Sequence, residues 1–352
     1  MRFVWLTFAL VSVFALMDFF QADTQGQLTV TAVNRLKIAR TSETIELRAK
    51  DLAALAEKDL NKLHVRDSSG KEVLSQSVDT DYDDLHKPDT LIFQSDFAPE
   101  ETKTFTITAG SKREYKNDDF RAYGRFVRER FDDFAWENDR IAHRTYGKAL
   151  ITWKGEPLTS SAIDIWSKRT SKLVINDWYM VDNYHTDTGD GVDAYSAGPT
   201  RGCGGSGIWA SNQLYVPTNF VESRMLTNGP IRVMFELVYE PFDVNGVKVS
   251  QVLRVSLDAG SQLNHFQTTY RADNNALLAV AIGLKKVKDE RRMENAESGW
   301  VTFWQPMEKN LGMQGLAVVV KRGDVERLDQ DTRNNLIILK PKTVYPISYW
   351  AG

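Results

Sequence analysis

The residues best suited to chemistry in this chain lie in one stretch, Asp177 to Gly205, DWYMVDNYHTDTGDGVDAYSAGPTRGCGG. It holds five acids (Asp177, Asp182, Asp187, Asp190 and Asp193), His185, Arg201 and Cys203, the one cysteine of the protein. Trp178, Tyr179, Tyr184 and Tyr195 are interleaved with them, and six glycines and a proline crowd its second half. Such a composition reads as irregular backbone, and loops held by a rigid scaffold are where binding and catalysis concentrate. A second charged and aromatic piece, WENDRIAHRTYG, contributes Trp136, Asn138, His143, Arg144 and Tyr146. On a strand Arg144 and Tyr146 share one face. Ion pairs along a sheet edge are the plainer use of the same residues.

Three chemistries fit this inventory. Cys203 sits in RGCGG beside Arg201, which would favour its thiolate. No cysteine-hydrolase signature surrounds it, so a small residue in a tight turn is the simpler reading. Asp187, Asp190 and Asp193, spaced by glycines, offer oxygens to calcium, and His185 with Asp187 offers a zinc-like alternative. The spacing matches no standard metal loop. A divalent metal is the one cofactor these residues suggest.

The third set is His185, Tyr146, Arg201 and Arg144, with His265 as an outlying member. Histidine or tyrosine serves as base and acid, and arginine neutralises a carboxylate. This suits removal of a proton next to a carboxylate, as at C5 of a uronic acid, where cations or strong donors must meet the enolate-like charge. The group on C4 then leaves. A departing sugar oxygen makes the reaction a lyase cleavage; a departing hydroxyl at the non-reducing end makes it a dehydration. In this reading His185 or Tyr146 takes the proton, and Arg201 or Arg144 holds the carboxylate. Two readings compete: a mutarotase-like epimerase using His185 with a nearby aspartate, and a glycan-binding protein without catalysis.

The elements that must position these groups are mainly strands. The 352 residues carry a net charge of −3 with both signs spread along the chain, so no basic tract suggests nucleic acid. The chain opens with Arg2 and an apolar run from Phe3 to Met17, too short for an ordinary membrane span and suited to a secretory signal cleaved near Ala22. No cysteine follows that run to anchor a lipid, so residues 1–25 read as a signal peptide and the mature protein as periplasmic or secreted, without a transmembrane segment. Residues 26–352 read as a single β-sandwich, with an N-terminal β part at 26–111 and a site-bearing part at 112–352. One cysteine allows no internal disulfide, so packing alone must hold the fold. Nine tryptophans and twelve tyrosines suit a β core or a sugar site equally.

Between Gln27 and Thr108 short runs alternate with period two, with Ser68-Ser69-Gly70 as a hairpin turn and Asp51 to Asn61 as one short helix. Asp79, Asp81, Asp83 and Asp84 resemble a calcium loop but lack its glycine and closing glutamate, and so read as a solvated turn. Arg121 to Arg130 reads as an extended arm; Ala149–Trp153 and SAIDIWS read as strand-like. From Leu214 onward antiparallel strands dominate, with Asn245-Gly246 as a type I′ turn. No Rossmann or P-loop glycine pattern occurs. The fold reads as mainly β, built of large stacked antiparallel sheets.

At WENDRIAHRTYG, SAIDIWSK, the Asp177–Gly205 stretch and NGPIRVMFELVY the sequence resembles a family of exported bacterial proteins designated a domain of unknown function and found in polysaccharide-degradation gene clusters. The resemblance covers nearly all of the mature chain. It implies a β-supersandwich like that of galactose mutarotases and several polysaccharide lyases. It also implies an anionic oligosaccharide or polysaccharide as partner, since some relatives act as dehydratases on ulvan oligosaccharides and leave a 4,5-unsaturated terminal uronate. Carried across, it points to His185, Tyr146, Arg201 and Arg144 for catalysis. Trp136 and Asn138 become substrate contacts, joined by His143, Tyr184, Cys203 and Trp209. Members of that family continue past the equivalent of SYWAG with a further tryptophan-containing tail, and any last strand or site residue of that tail is missing from this sequence.

Overall fold

The structure, a computed structural model, describes residues 21–22, 26–80, 87–155, 157–342 and 346–352. Most of the expected signal peptide and three acids of the expected solvated turn, Asp81, Asp83 and Asp84, lie outside the described residues. Among the described residues no helix is long and apolar enough to cross a membrane.

Alternating burial makes the strands. Met313–Val320 buries every second side chain, and Val247–Asp258 turns its apolar positions into the core in the same way. Eight such strands form the largest sheet, in the order Glu222–Asn228, Arg232–Val244, Val247–Asp258, Asn264–Ala272, Ile347–Ala351, Met313–Val320, Trp300–Pro306 and Arg291–Asn295. Its central hairpin closes on Asn245-Gly246, both at positive φ (53° and 86°), as a type I′ turn requires. A five-stranded sheet runs Gly191–Val192, Asp164–Lys168, Ile141–Thr145, Asp133–Asn138, Ala122–Val127. A second five-stranded sheet runs Gln213–Tyr215, Cys203–Ala210, Ala279–Lys285, Asn334–Leu339, Val325–Gln330. One hydrophobic core, including Phe134, Trp136, Phe235, Leu253, Ile282 and Val318, joins these three sheets. The mainly β fold of large stacked antiparallel sheets is as expected.

The N-terminal strands form a five-stranded and a three-stranded sheet around their own core of Leu28, Ile45, Leu47, Phe93 and Phe105. Gln76 fastens this part to the rest: its Oε1 accepts from the backbone N–H of Ile231 and Arg232, both at 2.8 Å. Ser68-Ser69-Gly70 turns the hairpin between Leu63–Arg66 and Glu72–Val73 as expected.

Several local expectations fail. Asp51–Asn61 is not an α-helix but a series of turns ending in the 3₁₀ turn Leu60–Lys62, because Asp59 caps Asn61 N–H and starts a tighter turn there. Ala149–Trp153 lies largely in the 3₁₀ turn Lys148–Thr152 rather than a strand. Arg121–Arg130 is extended only in part: Ala122–Val127 is a strand paired along its length with Asp133–Asn138, and Arg128–Arg130 is a 3₁₀ turn. The one α-helix among the described residues, Ile175–Val181, falls in the stretch that composition marked as irregular. Its first turn is held by Glu137, whose carboxylate accepts from Ile175 N–H at 2.7 Å and Val174 N–H at 2.9 Å. A carboxylate forty residues away does the capping, so no local cap marks the helix in the sequence.

Candidate active site

The site is built on the outer side of the five-stranded sheet, where helix Ile175–Val181 packs Trp178 and Tyr179 against Trp166. Arg144 and Asp164 are direct cross-strand partners, and the Arg144 Nε donates to Asp164 Oδ2 at 2.8 Å. Tyr146 O–H donates to the same oxygen at 3.1 Å. The Arg144 guanidinium also lies 3.3 Å from Asp193 Oδ2 and 3.8 Å from Asp133 Oδ2, and donates to the phenolic Oη of Tyr184 at 3.2 Å. The rings of Tyr146, Trp166 and Tyr184 surround it at cation–π distances. Arg130 Nε donates to the same Tyr184 Oη at 2.7 Å.

Asp193 carries this buried network to the surface. Its Oδ2 lies 3.4 Å from His185 Nδ1, and its carbonyl is 3.3 Å from the same nitrogen. The His185 side chain is 52% exposed, whereas that of Asp193 is 2% exposed. The imidazole is therefore held at one nitrogen and open at the other. Lys309 donates to the His185 carbonyl at 2.9 Å, and Lys285 meets Glu308 at 3.0 Å beside it.

Burial sets the electrostatics. It pushes Asp133 and Asp164 up to about 7, with Arg144 opposing the shift in both and Asp193 adding to it in Asp164. Asp193 is raised for the same first reason. Each of the three carboxyls around the central guanidinium is thus raised by burial and drawn back toward ionisation by Arg144. Burial also lowers His185 below the ordinary histidine value, which favours the neutral imidazole.

Of the residues the sequence singled out, Arg144, Tyr146, Tyr184 and His185 come together in this network. Arg201 does not: it is buried inside the sandwich, donating to Ser161 Oγ at 3.0 Å and Ser206 O at 3.2 Å. His265 stacks on Trp350, away from the site.

The expected sugar contacts Trp136, Asn138, His143, Cys203 and Trp209 are corrected. Trp136 is fully buried and gives its indole N–H to Asn264 Oδ1 at 2.7 Å. His143 is stacked on it, takes a hydrogen bond from Asn264 and is lowered by burial to about 3, so it stays neutral. Asn138 closes the turn after its strand, accepting from Arg140 and Ile141 N–H. Trp209 packs against Ala281, Leu336 and Ile338. Cys203 has no exposed surface, and burial pushes its thiol up to about 12, which removes any thiolate role. The glycines of RGCGG serve close approach: at Gly202 (φ +60°) an added Cβ would sit 1.9 Å from Ile163 O.

The metal reading does not fit either. Asp187 is engaged by Arg169 and accepts from Gly189 N–H, and among the described residues no three acid, histidine or cysteine side chains are placed to hold a metal ion. Asp190 accepts from Arg169 N–H through its carbonyl at 2.8 Å.

The residues that sequence reading missed are Asp133 and Asp164; the nearby aspartate it offered His185 is Asp193. DIWS alternation gave the strand of Asp164, but only its register opposite Ile141–Thr145 puts that carboxylate against Arg144.

Comparison with known proteins follows the same outline. Residues 33–352 match the family model described as a domain of unknown function, DUF4861. "Uncharacterized protein P7" of Formosa agariphila is 32% identical over 311 residues, covering 86% of this chain and 77% of that protein. A protein in the glycosyl hydrolase family 38 from Enterococcus faecalis matches in structure with a TM-score of 0.52 at 12% identity, over 93% of this chain and 44% of that one. An alpha-mannosidase from Enterococcus faecalis matches with a TM-score of 0.53 at 10% identity, over 94% of this chain and 43% of that one. The chain thus spans less than half the length of either solved structure, and at such identities the likeness is one of fold.

Proposed function

The chain belongs to the DUF4861 family, and we propose that it is a carbohydrate-active enzyme that removes the C5 proton of a terminal uronate in an anionic, ulvan-type oligosaccharide. The observation that carries this reading is His185: a neutral imidazole at the surface, braced at Nδ1 by Asp193 against the buried Arg144–Asp164 network. Its outer nitrogen takes the proton, the C4=C5 double bond forms as the C4–O bond breaks, and the imidazolium returns that proton to the departing C4 hydroxyl, which leaves as water. Asp193 stabilises the imidazolium that results. Arg144 is saturated by its own acids and Lys285 by Glu308, so the substrate carboxylate falls to Lys309 at the rim. The fold shared with an alpha-mannosidase supports a glycan as partner. The apolar run Phe3–Met17 supports export to the periplasm or medium.

The same chemistry with a sugar oxygen leaving C4 is a polysaccharide lyase. A mutarotase-like epimerase is a second reading, favoured by the histidine–aspartate pair itself, which acts on a neutral sugar equally well. Ultraviolet absorbance of a 4,5-unsaturated uronate, followed with product size on mixing protein and uronate-ended oligosaccharides, separates them. A rise without a shorter product is dehydration, and a rise with cleavage is a lyase. A flat trace with sugar anomers interconverting supports the epimerase, and a flat trace with binding alone removes catalysis. A rise that survives His185→Gln keeps the reaction class and rejects this site.

A further inference from the structure

The outer face of the eight-stranded sheet is covered at one end and carries exposed rings at the other. One row of cross-strand partners runs Met234, Ser256, His265, Trp350, Val319 and Trp300. Directly paired residues share a face, so the whole row lies on one side of the sheet. At its first end Met234 packs with Val78 and Ile92 of the N-terminal sheets. In the middle Trp350 stacks on His265, with ring centroids 4.8 Å apart. Past Trp300 the same face carries Trp304, which is 46% exposed, with Met293 and Met313 exposed on the strands to either side. The alternate residues Val301, Phe303, Leu316 and Val318 point into the main core. This far end is therefore an outer surface, and it belongs to a different sheet from the site at His185.

Trp304 is set there as a platform. Its direct partners are Arg291 on one neighbouring strand and Gly315 on the other. An added Cβ at Gly315 would sit 3.3 Å from Trp304 Cε3 and 3.4 Å from Cζ3, so any side chain there would push the indole away. Glycine lets the ring lie down on the strand and turn one face to solvent. Trp300 follows on the same face four residues back, about 13 Å away by the rise of a strand. The Arg291 guanidinium has neither an ion pair nor a hydrogen bond among the described residues, whereas Arg292 is paired with Glu294. Across Arg291–Asn295, Trp300–Pro306 and Met313–Val320 this face bears no acid.

A flat, exposed indole suits the apolar face of a pyranose, and an unpaired guanidinium beside it suits a carboxylate or sulfate on the same sugar. Three exposed apolar side chains are few beside the roughly 20–30 residues a side of a stable protein interface. We propose that Trp304 and Arg291, with Trp300 on the same face, form a non-catalytic holding surface for an anionic polysaccharide chain. This rests on the glycan reading above for the class of ligand, and not on the chemistry at His185.

The test uses the full chain in native gels cast with polygalacturonate, with ulvan or with a neutral β-glucan. Both anionic polymers should retard the parent more than the neutral one does, and the difference should shrink with added salt. Trp304→Ala should bind the anionic polymers about tenfold more weakly, from the lost stacking surface. Arg291→Gln, which leaves the ring in place, should weaken them by about tenfold as well while leaving the neutral polymer unaffected. Both side chains are exposed, so both variants should melt with the parent. An unretarded parent, undiminished retardation of Trp304→Ala, or equal retardation by the neutral polymer would each overturn the proposal. A parent that elutes as a dimer and a Trp304→Ala variant that elutes as a monomer would overturn it in favour of a second copy of the chain. Turnover of uronate-ended oligosaccharides by the parent is read separately. Retardation without turnover supports the surface and rejects the enzymatic reading, and turnover without retardation rejects the surface alone.

Discussion

Arg144 and Asp164 sit directly opposite each other on adjacent strands, both buried, with the guanidinium Nε 2.8 Å from the carboxylate. This pair is the hub of the candidate site. Tyr146 shares the Asp164 oxygen, Asp193 shares the guanidinium, and through Asp193 the hub reaches His185 at the surface.

Breaking the hub from the cationic side should be severe. Arg144→Met leaves Asp133, Asp164 and Asp193 buried with their central cation gone, and breaking a buried pair by removing one partner costs about 3–5 kcal/mol. Denaturant unfolding of the variant should show a loss of that order. A loss like that of a surface ion pair would mean that the three acids do not depend on Arg144.

The raised carboxyls predict an unusual pH dependence. Asp133 is pushed up to about 7 in the folded protein from 3.8, so between these values the folded state binds more proton than the unfolded state. Stability from this group is therefore fully present below about 4 and is lost as pH rises through about 7. Asp133→Asn should remove that trend. The parent-minus-variant difference in unfolding free energy should fall by on the order of 2–4 kcal/mol between pH 5 and 8, by the linkage of shift to stability. A difference that rises over this window would show that the folded protein holds Asp133 ionised.

His185 should matter to turnover and little to folding. Its ring is half exposed, so His185→Gln is expected to melt near the parent while losing roughly 10²–10⁴-fold in rate, the usual contribution of a general base. Because burial lowers its pKa, the acid limb of the rate profile should fall below the ordinary histidine range, leaving a plateau at neutral pH. An acid limb displaced upward would point to a different base.

Cys203 should be silent. A fully buried thiol pushed up to about 12 offers neither access nor thiolate, so the native protein should resist alkylation and react with one equivalent of thiol reagent only after unfolding. Rapid labelling of the folded chain would contradict its placement in the core.

How much was legible in the sequence depended on the range of the cause. Period-two alternation is local, and it gave the strands from Arg232 to Ala351 and the mainly β fold. Asn245-Gly246 is local too, since positive φ at both positions needs those residue types. The helix Ile175–Val181 was missed because its cap comes from Glu137 on another strand. The aromatic and amide residues of WENDR looked like sugar contacts because residue type says nothing of burial; Trp136 and Asn138 instead lock a core and a turn.

The sequence by itself determined the residue inventory of the site: His185, Arg144, Tyr146 and the acids around them. Which of these meet was decided only by tertiary structure. Strand register put Asp164 against Arg144 rather than a residue either side, and a shift of one would have sent it to the opposite face. The same packing drew Arg201 into the interior, away from His185. Charge and hydrogen bonding act over a few ångströms in space, and the chain places residues twenty to sixty positions apart within that reach only once the sheets have stacked.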